Sequence, residues 1–189
     1  MKADNEHEKI KIVKKQFRSE LLSRQKSLSL EYKKEASEKI AEKVFKNSDY
    51  LKADTIFIYS GMVNEVDTSI IMTDALSKGK RVTVPKTISF GYMEAWRIKS
   101  LDDLEPGKYG ILEPIAGSEV IKPEDIDLVF LPCLSFRKDG YRLGYGGGFY
   151  DIFLLKGNFN RIIIAFDKMR CEDIPIDTHD QKADLIITE

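Results

Sequence analysis

A glycine-rich decapeptide, residues 142–151, contains the residue types that suit phosphate binding. It begins with Arg142, ends with Asp151 and places four glycines within the five positions 144–148. Because glycine has no Cβ, backbone N–H groups in such a loop can approach a ligand closely. The apolar segment that follows is predicted to be a helix whose N-terminus favours an anion. Together with a carboxylate of the kind that binds magnesium, the stretch predicts a loop for a polyphosphate and its metal ion.

The same decapeptide also fits a tight turn between a strand and a helix. In that interpretation Arg142 is solvated, and Asp151 only favours the start of the helix. The two familiar phosphate-binding patterns, G-x-x-x-x-G-K-[ST] and G-x-G-x-x-G, are absent from the chain. The residues alone therefore leave both interpretations open.

Charged residues outside the decapeptide could act with it. Lys14 and Arg18 stand four positions apart on a predicted helix, so both project from one face. Glu65 lies in a loop that follows a predicted strand, where open α/β sheets bind ligands. Taken singly, each of these residues is more often simply solvated.

A polar loop before the last predicted strand contains His179 between Asp177 and Asp180. A histidine beside carboxylates could carry out acid–base chemistry, although a single histidine in a loop is more often structural. We interpret His179 and Asp177 as structural, and likewise the cysteines Cys133 and Cys171.

The elements that must position these residues alternate along the chain. Apolar residues at helical spacing predict helices over about 8–26, 29–46, 67–78 and from 149 onward. Runs of β-branched and aromatic residues predict strands at 55–59, 81–85, 92–98, 127–132, 161–166 and 183–188. Residues 101–123 are predicted to be a mostly irregular connection. This alternation predicts an α/β sandwich with a mostly parallel sheet flanked by helices.

Length and composition narrow the function classes. The 189 residues suit a single domain over 9–189, preceded by a loose polar tail over 1–8. A net charge of -1 gives no reason to expect a nucleic-acid partner, and no apolar run approaches the length of a membrane span. Two cysteines and no secretion signal indicate a reducing compartment, so we expect a cytoplasmic protein.

The decapeptide closely resembles the R-L-G-x-G-x-G-[YF]-Y-D signature of the 5-formyltetrahydrofolate cyclo-ligase family. Four weaker segments occur in the matching order. They are K-x-x-[LF]-R at 14–18, a loop ending in E-[VI]-x-T at 60–68, G-x-x-E-P at 110–114 and H-D-x-x-x-D at 179–184. The resemblance covers almost the whole chain beyond the first dozen residues.

This resemblance implies a fold related to the ribose-5-phosphate isomerase and CoA-transferase group, and it implies one reaction. ATP and 5-formyltetrahydrofolate, with or without a polyglutamate tail, give 5,10-methenyltetrahydrofolate, ADP and phosphate, with magnesium as the metal. The implied route passes through an N5-iminium phosphate. Catalysis of this type depends on positioning and on charge neutralisation. We also expect the protein to be a monomer.

The resemblance also implies a role for each matching residue. The implied catalytic residues are Arg18, Arg142 and Tyr150. The implied ATP-binding residues are Lys14, Lys15, Gln16, Phe17, Arg18, Arg142, Leu143, Gly144, Tyr145, Gly146, Gly147, Gly148, Phe149 and Tyr150. The implied folate-binding residues are Ser60, Glu65, Tyr145, Gly146, Gly147, Gly148 and Phe149. Asp151 and Asp180 are the implied metal ligands.

Two positions depart from part of the family, since some members carry a cation where this chain has Tyr145 or Gly147. Because the loop has fewer cations, more of the phosphate charge must be neutralised by Lys14, Arg18, Arg142 and the metal. Two alternatives share the expected architecture. One is a sugar-phosphate isomerase or CoA-transferase, and the other is a non-catalytic protein that binds a nucleotide or folate.

Overall fold

A computed structural model describes residues 2–107 and 110–189. Met1 of the predicted tail, and Lys108 and Tyr109 of the predicted connection, lie outside these residues. The helices and strands are, in chain order, α1 (Lys2–Ser27), α2 (Leu30–Phe45), α3 (Ser48–Lys52), β1 (Thr55–Phe57), α4 (Ser69–Ser77), β2 (Arg81–Ser89), β3 (Tyr92–Ile98), β4 (Leu104–Pro106), β5 (Leu112–Pro114), β6 (Val120–Ile121), β7 (Leu128–Leu131), β8 (Ser135–Phe136), β9 (Arg142–Leu143), α5 (Phe149–Leu154), β10 (Asn160–Ile164) and β11 (Leu185–Ile187).

A seven-stranded sheet forms the centre of the described fold, in the order β11-β10-β7-β1-β2-β3-β6. The five strands from β11 to β2 pair in parallel, while β3 and β6 extend the sheet in antiparallel fashion. Two small antiparallel pairs, β4–β5 and β8–β9, lie outside it. The predicted α/β sandwich with a mostly parallel sheet is confirmed.

Both faces of the sheet are buried, because successive side chains of a strand point to opposite sides. Ile56 and Phe130 pack on the face that α2 and α4 cover, whereas Phe57 and Leu131 pack on the face that α5 covers. Parallel strands buried on both faces read as continuous apolar runs, which explains why β1 and β7 were visible in the sequence. Their carboxyl ends meet at one edge of the sheet.

Helix α1 and strand β2 extend beyond their predicted bounds. Helix α1 extends back to Lys2, into the stretch for which a loose tail was predicted. Strand β2 continues past Pro85, where we expected it to stop. Beyond Thr83 it pairs only with β3, so a proline without an N–H is tolerated on the open side. The connection over 101–123, which was predicted to be mostly irregular, also contains the three short strands β4, β5 and β6.

No helix among the described residues is both long and apolar enough to cross a membrane.

Candidate active site

The candidate active site lies at the carboxyl ends of the central strands, where the loops after β1, β7 and β10 come together. A cavity of ≈ 10 Å³, roughly the space of one water molecule, is lined there by the polar side chains of Gln25, Tyr59, Glu65 and Cys133. Parallel sheets commonly bind ligands at this edge. The sequence predicted Glu65 at this position but neither Gln25 nor Cys133.

Glu65 is held in a fixed orientation within its loop. Its side chain is buried, and its Oε2 accepts a hydrogen bond from the backbone N–H of Met62 at 2.9 Å. Burial raises the pKa of Glu65, while hydrogen bonds from Met62 and from the Tyr145 hydroxyl oppose that shift. Such a carboxylate is placed to accept hydrogen bonds from uncharged N–H donors. Ser60, the other residue expected to contact folate in this loop, is also buried.

Helix α1 contributes two cations to the site. The ammonium of Lys14 donates to both carboxylate oxygens of Asp180, at 2.6 and 2.5 Å. Arg18 donates from Nε to the carbonyl oxygen of Gly144 at 2.9 Å, so the helix is joined directly to the glycine loop. Burial lowers the pKa of Arg18, and the nearby charge of Asp180 raises it. The spacing of Lys14 and Arg18 thus brings both side chains to the same edge.

The residues between these two cations have different surroundings. Lys15 and Gln16 are exposed, and Phe17 packs against the hydrophobic core. Gln25, two helical turns after Arg18, reaches the Tyr145 hydroxyl at 3.5 Å. Gln25 is seven positions after Arg18 and therefore lies on the same face of the helix, a spacing that could have identified it from the sequence.

Arg142, in β9, links the beginning and the end of the decapeptide. Its Nη2 donates to Asp151 Oδ1 at 3.0 Å, and its Nη1 donates to the carbonyl oxygen of Gln181 at 2.8 Å. The backbone N–H of Gln181 donates to the same Asp151 oxygen at 3.1 Å. Because Gln181 follows Asp180 directly, the two expected metal ligands lie in one neighbourhood.

The glycine loop needs glycine at two of its positions for conformational reasons. Gly146 has a φ of 103° and Gly148 a φ of 68°, in the left-handed region that other residues avoid. A Cβ on Gly146 would also lie 3.3 Å from the guanidinium carbon of Arg18. By contrast, a Cβ on Gly144 would meet nothing within 4 Å. The loop therefore leaves open space beside its backbone at position 144.

Two aromatic residues follow the glycines. The hydroxyl of Tyr150 is buried and has no hydrogen-bond partner among the described residues. Burial and the charge of Glu65 raise the pKa of this phenol, and Arg142 opposes the shift. Phe149 packs at 6.2 Å, ring centre to ring centre, against Phe90 at the tip of the β2–β3 hairpin. A buried donor with no described partner is available to a ligand oxygen.

The loop that contains His179 orients the carboxylate of Asp180 through a backbone hydrogen bond. The N–H of Asp177 donates to Asp180 Oδ2 at 2.7 Å and so fixes that carboxylate. His179 itself is exposed. Both cysteines are free thiols, and burial raises the pKa of Cys133 to about 12.

The donors present suit a magnesium ion held jointly with a phosphate ligand. Among the described residues, no group of three or more His, Cys, Asp or Glu side chains is placed to hold a metal alone. Asp151 and Asp180 offer two carboxylates beside the glycine loop, and magnesium is commonly bound by one or two carboxylates plus phosphate oxygens. The residues therefore fit magnesium that arrives with a nucleotide.

Comparisons with known proteins agree on one family. The family model described as the 5-formyltetrahydrofolate cyclo-ligase family matches residues 10–189. The 5-formyltetrahydrofolate cyclo-ligase of Mus musculus is 32% identical, and the match covers 93% of this chain and 93% of the relative. The NMR structure of the 5,10-methenyltetrahydrofolate synthetase of Aquifex aeolicus is 29% identical, with a TM-score of 0.82, covering 93% of this chain and 89% of that one. The 5,10-methenyltetrahydrofolate synthetase of Mycoplasma pneumoniae is 26% identical, with a TM-score of 0.76, and the match covers 93% of this chain and 98% of that one.

Proposed function

The chain belongs to the 5-formyltetrahydrofolate cyclo-ligase family, and from this premise we propose that it uses ATP and magnesium to convert 5-formyltetrahydrofolate into 5,10-methenyltetrahydrofolate. The class of enzyme, a ligase that forms a carbon–nitrogen bond, follows from the family. The nucleotide, the metal and the residue roles are the finer part of the proposal. One observation supports them above all, namely two ion pairs that flank the glycine loop, Lys14–Asp180 and Arg142–Asp151.

These two ion pairs contain what a magnesium–nucleotide complex needs. The cations Lys14 and Arg142 can bind phosphate oxygens, and the carboxylates of Asp180 and Asp151 can coordinate the metal. Each charged group then exchanges one oppositely charged partner for another, so no charge is left unpaired in a partly buried site. Magnesium would neutralise the phosphates and hold them in line for attack.

On the folate side, Glu65 is proposed to accept hydrogen bonds from N–H donors of the pterin ring. Its hydrogen-bond partner Tyr145 lies in the glycine loop, which supports the proposal that one loop contacts both substrates. Ser60 and residues 146–149 complete the proposed folate contacts. The roles of Lys15 and Gln16 in ATP binding stay predictions that rest on the resemblance.

The proposed reaction has two steps. The formyl oxygen of the folate attacks the γ-phosphate, and ADP leaves as the phosphoryl group is transferred. N10 then attacks the activated formyl carbon and loses its proton to solvent, and the C–O bond of that carbon breaks to release phosphate and complete the ring. Arg18 and Arg142 neutralise the charge of the transferring group, while the buried Tyr150 hydroxyl donates a hydrogen bond to a ligand oxygen.

An absorbance assay for 5,10-methenyltetrahydrofolate tests this function. We expect product only when 5-formyltetrahydrofolate, ATP and magnesium are all present, and one phosphate released for each product formed. Product without ATP would contradict the nucleotide proposal, and no product with fresh substrates would contradict the whole assignment.

We further propose that the protein acts as a cytoplasmic monomer on folates with or without a polyglutamate tail. Two free cysteines fit a reducing compartment. Light scattering on the purified protein tests the monomer, and activity with mono- and pentaglutamate substrates tests the tail.

A further inference from the structure

A buried lysine on α2 holds the loop that carries Glu65. Lys33 is only 6% exposed, and its Nζ donates to the side-chain oxygen of Asn64 at 2.8 Å. Asn64 directly precedes Glu65 in the chain. An ammonium group is costly to bury unless it is hydrogen-bonded, and a hydrogen bond from a charged donor is stronger than a neutral one. Core packing alone therefore does not account for a lysine at this position.

A second bond from the same helix anchors the other side of Glu65. One turn after Lys33, the Ser37 hydroxyl donates to the Lys33 carbonyl at 2.7 Å and accepts from the backbone N–H of Asp67 at 3.0 Å. Helix α2 is thus hydrogen-bonded to the loop at Asn64 and at Asp67. Glu65 lies between those two points, and its two hydrogen bonds with the backbone of Met62 fix the direction of its carboxylate.

We propose that Lys33 is a positioning residue for folate binding, which acts through Asn64 on the orientation of Glu65. The inference rests on the proposed role of Glu65. It gives α2 an influence on substrate affinity without any contact to the substrate. The described hydrogen bonds of Lys14, Arg18 and Arg142 involve neither Lys33 nor Asn64, so the influence is expected to be specific to folate.

The test is to replace Lys33 by methionine, which keeps most of the apolar stem and removes the ammonium. For Lys33→Met we expect the KM for 5-formyltetrahydrofolate to rise about tenfold, with the KM for ATP within about twofold of wild type. Calorimetric titration with 5-formyltetrahydrofolate should show a matching rise in Kd. Lys34 is the neighbouring exposed lysine of the same helix, and Lys34→Met serves as the matched control that should leave both constants unchanged.

Two further variants separate positioning from a general loss of structure. Lys33→Arg keeps a charged donor and should recover much of the folate affinity. Asn64→Leu should raise the KM for folate by itself, and the double variant with Lys33→Met should lose little more, because the two residues act as one pair. If Lys33→Met is too unstable to purify, Asn64→Leu decides the question alone.

The outcomes distinguish this inference from the proposed function. A wild-type folate KM in Lys33→Met or Asn64→Leu, or an equal rise in the KM values for folate and ATP, overturns the positioning role. If Glu65→Gln weakens folate binding while Lys33→Met does not, the result supports the proposed folate site and contradicts only the positioning role of Lys33. A wild-type enzyme that forms no product overturns the proposed function instead.

Discussion

Carboxylates in two regions of the candidate site have opposite surroundings. Glu65 is buried, its described hydrogen bonds come from uncharged donors, and burial raises its pKa. Asp151 and Asp180 are each bonded to a cation, Arg142 and Lys14 respectively. The difference indicates two kinds of ligand. A neutral ring with N–H donors suits the region around Glu65. The region around Asp151 and Asp180, called the charged region below, suits a charged complex whose phosphates can bind the cations and whose metal can bind the carboxylates.

The largest effect is expected from removing a cation of the charged region. Arg142→Ala should lower kcat about 100-fold or more, because it removes the proposed donor to the transferring phosphoryl group and leaves Asp151 without its cation. Initial-rate kinetics at saturating substrates check this. Arg142→Lys keeps the charge but not the two-armed hydrogen bonding, so it should recover activity only in part. Near-normal turnover in Arg142→Ala would contradict the proposed role of Arg142 in binding the phosphoryl group.

The next effect concerns the metal and separates the two regions directly. Asp151→Asn should raise the magnesium concentration needed for half-maximal rate about tenfold or more, since an amide is a poorer ligand than a carboxylate. Magnesium titrations of the rate measure this value. Glu65→Gln is the control, because Glu65 lies in the other region and its replacement should leave the magnesium requirement unchanged. Equal magnesium curves for Asp151→Asn and wild type would contradict the division.

A smaller effect is expected within the glycine loop. Gly146→Ala should raise the KM for ATP about tenfold, because alanine strains the left-handed backbone and crowds the Arg18 guanidinium. Gly144→Ala is the matched variant, since its Cβ has open space and its backbone carries no such strain. Kinetics with ATP and thermal unfolding of both variants give the comparison. A loss of ATP affinity in Gly144→Ala without any loss of stability would show that phosphate approaches the loop at position 144.

The smallest effect is a change in stability at Glu65. Because its folded-state pKa is raised, this carboxyl favours folding most at a pH below its unfolded pKa. The contribution is lost as the pH rises through the folded pKa. Glu65→Gln should therefore raise the melting temperature at neutral pH by about 2–4 °C and flatten its decline between acidic and neutral pH. Melting curves from pH 5 to 8 measure this, and a less stable variant at neutral pH would contradict the electrostatic difference between the regions.

The sequence predicted the fold where a single strand or helix determines the pattern. The apolar runs of β1 and β7 identified buried strands, and the decapeptide identified the loop. The sequence failed where neighbouring elements decide the outcome. The continuation of β2 past Pro85 depends on where its partner β1 ends, and the bonds of Lys33 depend on how α2 lies against another loop. The resemblance supplied the residues of the candidate site, but their pairing as Lys14–Asp180 and Arg142–Asp151 required tertiary structure.

The bond between Lys14 and Asp180 joins residues that are 166 positions apart. A contact over such a long separation is unfavourable until other contacts have ordered part of the intervening chain, because the entropy of closing a large loop must be offset. During synthesis on the ribosome, the first helix would emerge long before its partner loop. We therefore expect the nascent protein to acquire its proposed nucleotide affinity late in synthesis, once the loop that contains Asp180 has emerged.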